Sequence, residues 1–363
     1  QDVIRTWFAE RSVPGTLHER PWVGFAHNRT EALELARGTA DYSLMIDADD
    51  LLHGSPDLTD LTAPGYLFHL RGANISYWRP QLFSQVAEWR YLGPVHEYAV
   101  CADGSTAARL DGDYHVEVRH LGDRNVRGDK YERDAELLRA AIDADPDDSR
   151  SVFYLAQTCL HAGDPQAALD LYTRRISMGG WDEEIHYAHL QRAKALADLE
   201  APEEQVLAAL LDAWNARPTR NEALVEIARI HRAAGRWAAA HLFAKQADEI
   251  EFPESDLLFV SEDSHFWQAR DERAIAAFYI GLHRESFDLC NDLLAGDRLP
   301  DRERDRVLAN REYAANVLLA DRVVQPTTVV ERLSARMADP TSTGAGVTVT
   351  ITTCKRRELF ERT

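Results

Sequence analysis

Two hydrophobic periods divide the chain. Up to about residue 125 the apolar positions fall in short alternating or continuous runs, and beyond it they recur every three to four residues. In the first part, Gln1 to Phe8 reads as an amphipathic helix with Val3, Ile4, Trp7 and Phe8 on one face. A second helix is predicted over Arg29 to Arg37, with Leu33, Ala36 and Ala32 on one face, Asn28 placed to cap its start and Gly38 to end it. Strands are expected at Tyr66 to Leu70, at Ala73 to Trp78 with Arg79-Pro80 closing it, and at Tyr114 to His120. In the last of these Tyr114, Val116, Val118 and His120 share a face.

Residues 44 to 50 break their own pattern. Leu44-Met45-Ile46 is the start of a buried strand, and it stops at Asp47, Asp49 and Asp50. Side chains alternate along a strand, so Asp47 and Asp49 share a side as the chain leaves the sheet. Two carboxylates so placed can hold Mg²⁺ or Mn²⁺ beside a ligand phosphate. The plainer reading is an acidic turn or helix cap. A helix feeding a buried strand that ends in acids predicts α/β topology, in which ligands sit beyond the carboxyl ends of strands. The acid and Gly spacing of an EF-hand is absent after Asp49.

From about Asn125 the pattern predicts helices over 151–162, 165–177, 182–199, 203–215 and 220–234, with more from about Phe266 to Leu319. Leu155-Ala156, Gly163, Ala168 and Tyr172 match the spacing of Ile227-Ala228, Gly235, Ala240 and Ala244. Small residues at matched places let paired helices approach closely, and the array reads as an α-solenoid of imperfect repeats resembling tetratricopeptide units. Residues 338–346 are a linker by composition, and 347–363 read as a strand and helix start of a further α/β domain that cannot fold alone.

Charge and cysteines narrow the classes. With 363 residues, 45% hydrophobic, the chain has material for about two packed cores. A net charge of −19 argues against tracking a nucleic-acid backbone or an anionic membrane. No apolar stretch reaches the roughly 20 residues a bilayer span needs. Cys101, Cys159, Cys290 and Cys354 lie far apart, so a reducing, cytoplasmic setting is expected.

A set of ordered motifs then points further. His27-Asn28-Arg29-Thr30-Glu31-Ala32-Leu33-Glu34-Leu35-Ala36, Ile46-Asp47-Ala48-Asp49-Asp50, Trp89-Arg90-Tyr91-Leu92-Gly93-Pro94-Val95-His96-Glu97 and His120-Leu121-Gly122-Asp123 follow one another. Asp129-Lys130-Tyr131-Glu132-Arg133-Asp134, Phe153-Tyr154-Leu155-Ala156-Gln157 and Met178-Gly179-Gly180-Trp181 continue the series. The set, spanning about residues 1 to 250, resembles the family-two glycosyltransferases that carry tetratricopeptide-like repeats. The resemblance implies a partial GT-A-like α/β domain over 1–125 and an all-α tetratricopeptide-like solenoid over 126–337. It implies inverting transfer from a nucleotide-sugar donor to a protein, peptide or glycan acceptor, assisted by Mg²⁺ or Mn²⁺. Family members open with a strand and an Asp-Thr-Gly-Ser-Thr-Asp-Gly-Thr-like turn that does not stand before Gln1, so a nucleotide-binding unit is expected upstream. The rival is a non-catalytic protein-binding scaffold with a degenerate transferase domain.

The resemblance assigns Asp49 to the metal, Asp47 to the metal or the donor ribose, with Asp50 in support, and lets His120 complete the metal site. Glu97 is the candidate base, since a carboxylate must take the acceptor's proton as the sugar moves. Its structural alternative is a loop carboxylate paired with Arg90 or Arg71. Arg29, with Asn28 beside it, is the candidate contact to the donor diphosphate, because a guanidinium binds phosphate through a planar fork. Trp78, Trp89, Tyr77 and Tyr91 are shared between a sugar platform and core packing. The acidic run 143–148 reads as helix capping, and His186 with His189 lacks a third metal partner.

Overall fold

The computed structural model describes residues 2–12, 14–72, 75–119 and 130–320. Helices α1 (Asp2–Arg11) and α2 (Phe25–Ala36) precede eight strands: β1 (Tyr42–Leu44), β2 (Leu51–Pro56), β3 (Gly65–Arg71), β4 (Ser76–Ser84), β5 (Trp89–Leu92), β6 (Tyr98–Cys101), β7 (Ala108–Arg109) and β8 (Gly112–Glu117). Helices follow at α3 (Lys130–Ala144), α4 (Ser149–His161), α5 (Pro165–Ser177), α6 (Asp182–Asp198), α7 (Glu203–Ala216), α8 (Glu222–Ala233) and α9 (Trp237–Asp248). A π-helical turn over Ser264–Gln268 leads into α10 (Ala269–Tyr279), α11 (His283–Ala295) and α12 (Asp301–Ala320).

The sheet runs β1-β4-β3-β8-β2, with β7 beside β3 and β5-β6 as a separate hairpin. The pairs β1/β4, β3/β4 and β2/β8 are antiparallel, and β3 runs parallel to β7 and β8. This corrects three expectations. The strand before the aspartates is short and lies at the sheet edge, where Leu44 and Ile46 are exposed instead of buried. Pro80 does not close β4, because the ladder is already irregular between Tyr66 and Leu67, and a missing N–H costs little at a bulge. The apolar face of α1 is mostly uncovered: Val3, Ile4 and Trp7 are exposed, and Phe8 is half-buried.

The helices lie close to where the period put them, and their turns explain why. Asp148 caps α4 by accepting from Ser151 N at 3.0 Å, and Asp164 caps α5 through Ala167 N, with Pro165 in the first turn. Gly163 and Gly235 take φ of +81° and +70° in matched interhelical turns, a region that favours glycine. Ala156, Ala168 and Tyr172 are fully buried between their helices, as are Ala228, Ala240 and Ala244 in the second matched set.

By contacts the chain forms two compact units, 1–227 with 250–265, and 228–249 with residues from 266 onward. The first unit therefore does not end where the period changes at 125. Val95, from the turn after β5, and Leu258 join Phe153, Leu155 and Tyr172 in one core. Segment 250–265 binds the sheet and helices of this unit: Val260 bridges Ser76, Trp78 N donates to Leu257 O, and Glu183 accepts from Leu257 N and Leu258 N at 2.7 Å each. Its anchor is Arg220, fully buried, which donates to Glu222, Asp256 and the carbonyls of Leu258 and Phe259. Glu222 is held down at about 2 against the pull of burial, by Arg220 first and then by His186 and His265. The second unit packs Trp267, Cys290, Leu293 and Val307 together, and Arg232–Glu272 and Arg306–Asp271 pairs tie its helices.

Replacing Arg220 should unfold this anchor. Arg220→Met leaves Glu222 buried without its guanidinium and Asp256 with Arg217 alone, and about 3–5 kcal/mol of stability should be lost, measured by denaturant titration. Acid should weaken the same centre. His186 is wholly buried, donates from Nδ1 to Ala213 O at 2.9 Å, and burial first, then Arg220, lowers its pKa from 6.5 to about 4. Below pH 6.5 the unfolded imidazole takes up a proton that the folded one refuses until about pH 4, so stability falls across that window, by about 3 kcal/mol in full. A melting temperature independent of pH between 7 and 4, or unchanged slope in His186→Gln, would contradict this.

Candidate functional site

Three predicted residues from distant segments meet. Arg29 donates from Nη2 to Asp47 Oδ1, and its Nε lies 2.6 Å from Glu97 Oε1. Helix α2 positions Arg29: its Ala26 and Leu33 pack against Phe83, Trp89 and Tyr91, and Thr30 accepts from Tyr91 N at 2.9 Å. That bond ties the helix to β5, whose following turn carries Glu97. In this turn Gly93 and His96 take φ of +98° and +52°. The His96 ring stacks on Tyr154 at 4.1 Å, and its carbonyl accepts from Arg150 at 3.0 Å.

The ion pairs are sheltered, with Arg29 and Glu97 side chains 17% and 11% exposed. Burial opposes the charge on Arg29, yet Asp47 and Glu97 outweigh it and raise its pKa. Arg79 Nη2 adds a contact at 3.5 Å to the other oxygen of Asp47. Burial pushes Tyr91 up to about 12 against the opposing charges of Arg29 and Arg79. Asp50 N donates to Asp47 O, closing the acidic turn. The Asp50 carboxyl is raised, by burial first and by Asp47 and Asp49, against Arg119 N and Arg79; its Oδ2 has no hydrogen-bond partner among the described residues.

The roles differ from the expected ones in several places. Arg29 is committed to two carboxylates, so in this arrangement it sets the spacing of Asp47 and Glu97. Glu97 is paired with Arg29 and not with Arg90 or Arg71; Arg71 faces Glu262. Asn28 does not cap α2, which begins at Phe25; from inside the first turn its side chain accepts from Val23 N and Gly24 N and donates to Pro21 O. Trp89 and Tyr91 belong to the core, Tyr77 packs on Phe259, and Trp78 lies between His69 and Arg109. His120 and residues 321–363, with the expected linker and further domain, lie outside the described residues.

The arrangement does not by itself fit a cation. Both oxygens of Asp47 face guanidinium groups, and among the described residues no three His, Cys, Asp or Glu side chains converge to hold a metal ion. The orphaned Asp50 oxygen is the single feature that would favour one. Sequence reasoning also missed Arg79 and Arg150. Arg79 was hidden as the residue before a proline, while Arg150 carried a readable signal, standing four positions before Tyr154 on one helix face.

No family model matches the chain, and no curated protein matches it. Among solved structures it is similar to MamA, at 16% identity over 55% of this chain and 99% of the other, with a TM-score of 0.36. A thermophilic tetratricopeptide protein of Thermus thermophilus, TTC0263, is 20% identical over 52% of this chain and 91% of its own, with a TM-score of 0.33. YrrB, described as a tetratricopeptide protein with an unusual peptide-binding site, is 14% identical over 51% and 84%, with a TM-score of 0.37. At such values these likenesses say nothing of what this chain binds.

Removing the shared cation tests the geometry. Arg29→Met should leave Asp47 and Glu97 facing each other and cost about 1–3 kcal/mol. Adding Glu97→Gln should restore part of that loss, and strictly additive effects in the double-mutant cycle would show that the two do not interact.

Proposed function

We propose that this chain transfers a sugar from a nucleotide-sugar donor to an acceptor, with the α/β part carrying the chemistry and the helical repeats presenting a macromolecular acceptor. The observation that supports this is the meeting of Arg29, Asp47 and Glu97, which lie 18 and 50 residues apart in sequence (47 − 29 and 97 − 47). Asp47 and Glu97 reach Arg29 from separate segments and hold its charge against burial, and a sheltered convergence of ionisable groups of this kind is a candidate functional site.

In this reading Glu97 takes the proton of the acceptor hydroxyl as the bond to the sugar forms. Arg29 holds the carboxylate in place through Nε, and the 93–97 turn is fixed from behind by Arg150 and by the stacking of His96 on Tyr154. Asp47, oriented by Arg29 and Arg79, faces the donor. Asp49 and Asp50 are the candidate ligands of a divalent cation, which would neutralise the leaving diphosphate; no step at Glu97 depends on it.

The second reading is a non-catalytic protein-binding scaffold. It is favoured by the saturation of Asp47 with arginine contacts and by the paired helices within each unit, since stacked helical hairpins form surfaces for peptides.

Donor binding separates the two. Calorimetry with UDP- and GDP-sugars, with and without Mg²⁺ or Mn²⁺, should give binding that Asp49→Ala weakens and Glu97→Gln spares. Transfer in Glu97→Gln should fall by about 10²- to 10⁴-fold, the usual worth of a positioned base. Equal donor binding by the wild type and Asp49→Ala would remove the metal assignment. No donor binding at all would leave the scaffold.

A further inference from the structure

Residues 250–265 are held in the first unit largely by charged side chains. On the helical side Glu183 accepts from Leu257 N and Leu258 N, Glu222 accepts from Ser261 N, and Arg217 and Arg220 donate to Asp256. On the sheet side Arg109 donates to the carbonyls of Glu254 and Asp256, and Arg71 pairs with Glu262 at 3.2 Å. The backbone pairs at Val260 with Ser76, and Trp78 N donates to Leu257 O. Charge-assisted bonds to both sides thus do what a helix or strand ladder does elsewhere, and the segment is a strap between sheet and helices. Phe259, in its middle, is held at a φ of +46°.

His69 and His265 stand against this strap as neutral rings. His69, on β3, stacks on Trp78 at 4.9 Å, and its Nε2 lies 3.9 Å from Glu262 Oε1. Burial first, then Arg71, with His115 and Arg109 adding to it, lowers its pKa from 6.5 to about 4 against the pull of Glu262. His265 ends the strap with its side chain buried, its Nε2 4.0 Å from Glu222 Oε2 and its ring edge-on to Phe252. Neither of its ring nitrogens has a hydrogen-bond partner of good geometry among the described residues. Burial lowers its pKa too; Glu222, the Ile250 carbonyl and Asp256 oppose the shift, and Arg220 adds to it. His186 faces the same Glu222 oxygen at 4.0 Å, but its Nδ1 is held by Ala213 O on α7 and not by the strap.

A buried imidazole kept neutral takes up a proton once its cover lifts. Opening the strap gives both rings back to water, so opening is coupled to proton uptake and is favoured as pH falls below 6.5. A ring whose pKa moves from about 4 to 6.5 favours opening about 20-fold more at pH 5 than at pH 7. The acids of the clasp do not fail first, since Glu222 is held at about 2 and Asp256 is lowered by its arginines against burial.

We propose that residues 250–265 form an acid-released strap: proton uptake by His69 and His265 frees the segment from the sheet and from α6 and α8 while the helices and strands it joins stay folded. Opening uncovers an aromatic strip, because Phe259 packs on Tyr77 at 5.6 Å and on Tyr187 at 5.0 Å. The device is independent of the sugar-transfer reading.

Amide hydrogen exchange on the whole chain at pH 7 and pH 5, corrected for the pH dependence of intrinsic exchange, reads the opening at Leu257, Leu258, Val260 and Ser261. Protection there should fall by about 20-fold or more on acidification, and at pH 5 it should lie below that of α4 and α5. His69→Gln should remove about 20-fold of the fall, and His265→Gln should flatten it as well. The readout is the slope with pH, so a variant that only loosens the strap changes the level and keeps the slope. His18→Gln, an exposed histidine outside the strap's contacts, should keep both. The wild-type ordering of the segment against α4 and α5 is measured without any variant. Protection in 250–265 equal to that of α4 and α5 at pH 5, no dependence on pH after correction, or an unchanged slope in both strap-histidine variants would each overturn the proposal.

Discussion

The first unit depends on one buried ionic centre. Arg220 is enclosed with Glu222 and Asp256, and its remaining donors hold the carbonyls of Leu258 and Phe259. Burying three charges is expensive, and the cost is offset only when each is paired and each lone donor finds an acceptor. That demand pins residues 250–265 beside α6 and α8, where the same segment extends the edge of β4 through Val260 and Leu257. Phe259 takes a φ of +46° there, an uncommon value for an aromatic residue that surrounding bonds must hold. The segment thereby links the sheet to the first helices, and the position of the 93–97 turn follows, because Val95 is part of the helices' core.

A second constraint acts at the surface of this unit. Arg29 joins Asp47 to Glu97, so an edge strand, a helix and a turn are registered by one guanidinium. A lysine would offer a point charge and could not present the same fork to two carboxylates. The turn is braced on its other side by Arg150 and Tyr154 from α4. Helical and sheet parts are thus coupled within the unit at the residue with the clearest chemical potential.

Glu97 needs a carboxylate held in place, which Arg29 supplies. Acidic capping at the start of α4 explains why Asp148 stands where it does, since one of its oxygens accepts from Ser151 N and the other from Ser151 Oγ.

The helices were legible in the sequence because a 3.6-residue period over a dozen positions is long enough to read, and Gly163, Gly235, Asp148 and Asp164 mark their ends by local chemistry. Arg29, Asp47 and Glu97 were legible as individual candidates from their motifs. Their contact was not, because ion pairing of Arg29 with residues 18 and 68 positions away depends on how α2 packs on β5, which local pattern does not encode. Edge placement of β1, continuation of β4 through Pro80, and the core formed by Val95 and Leu258 with the helices were likewise decided by tertiary pairing. The stretch 250–265 has no period and reads as a gap. Only the folded chain, by burying Arg220 among acids and carbonyls, gives it a place.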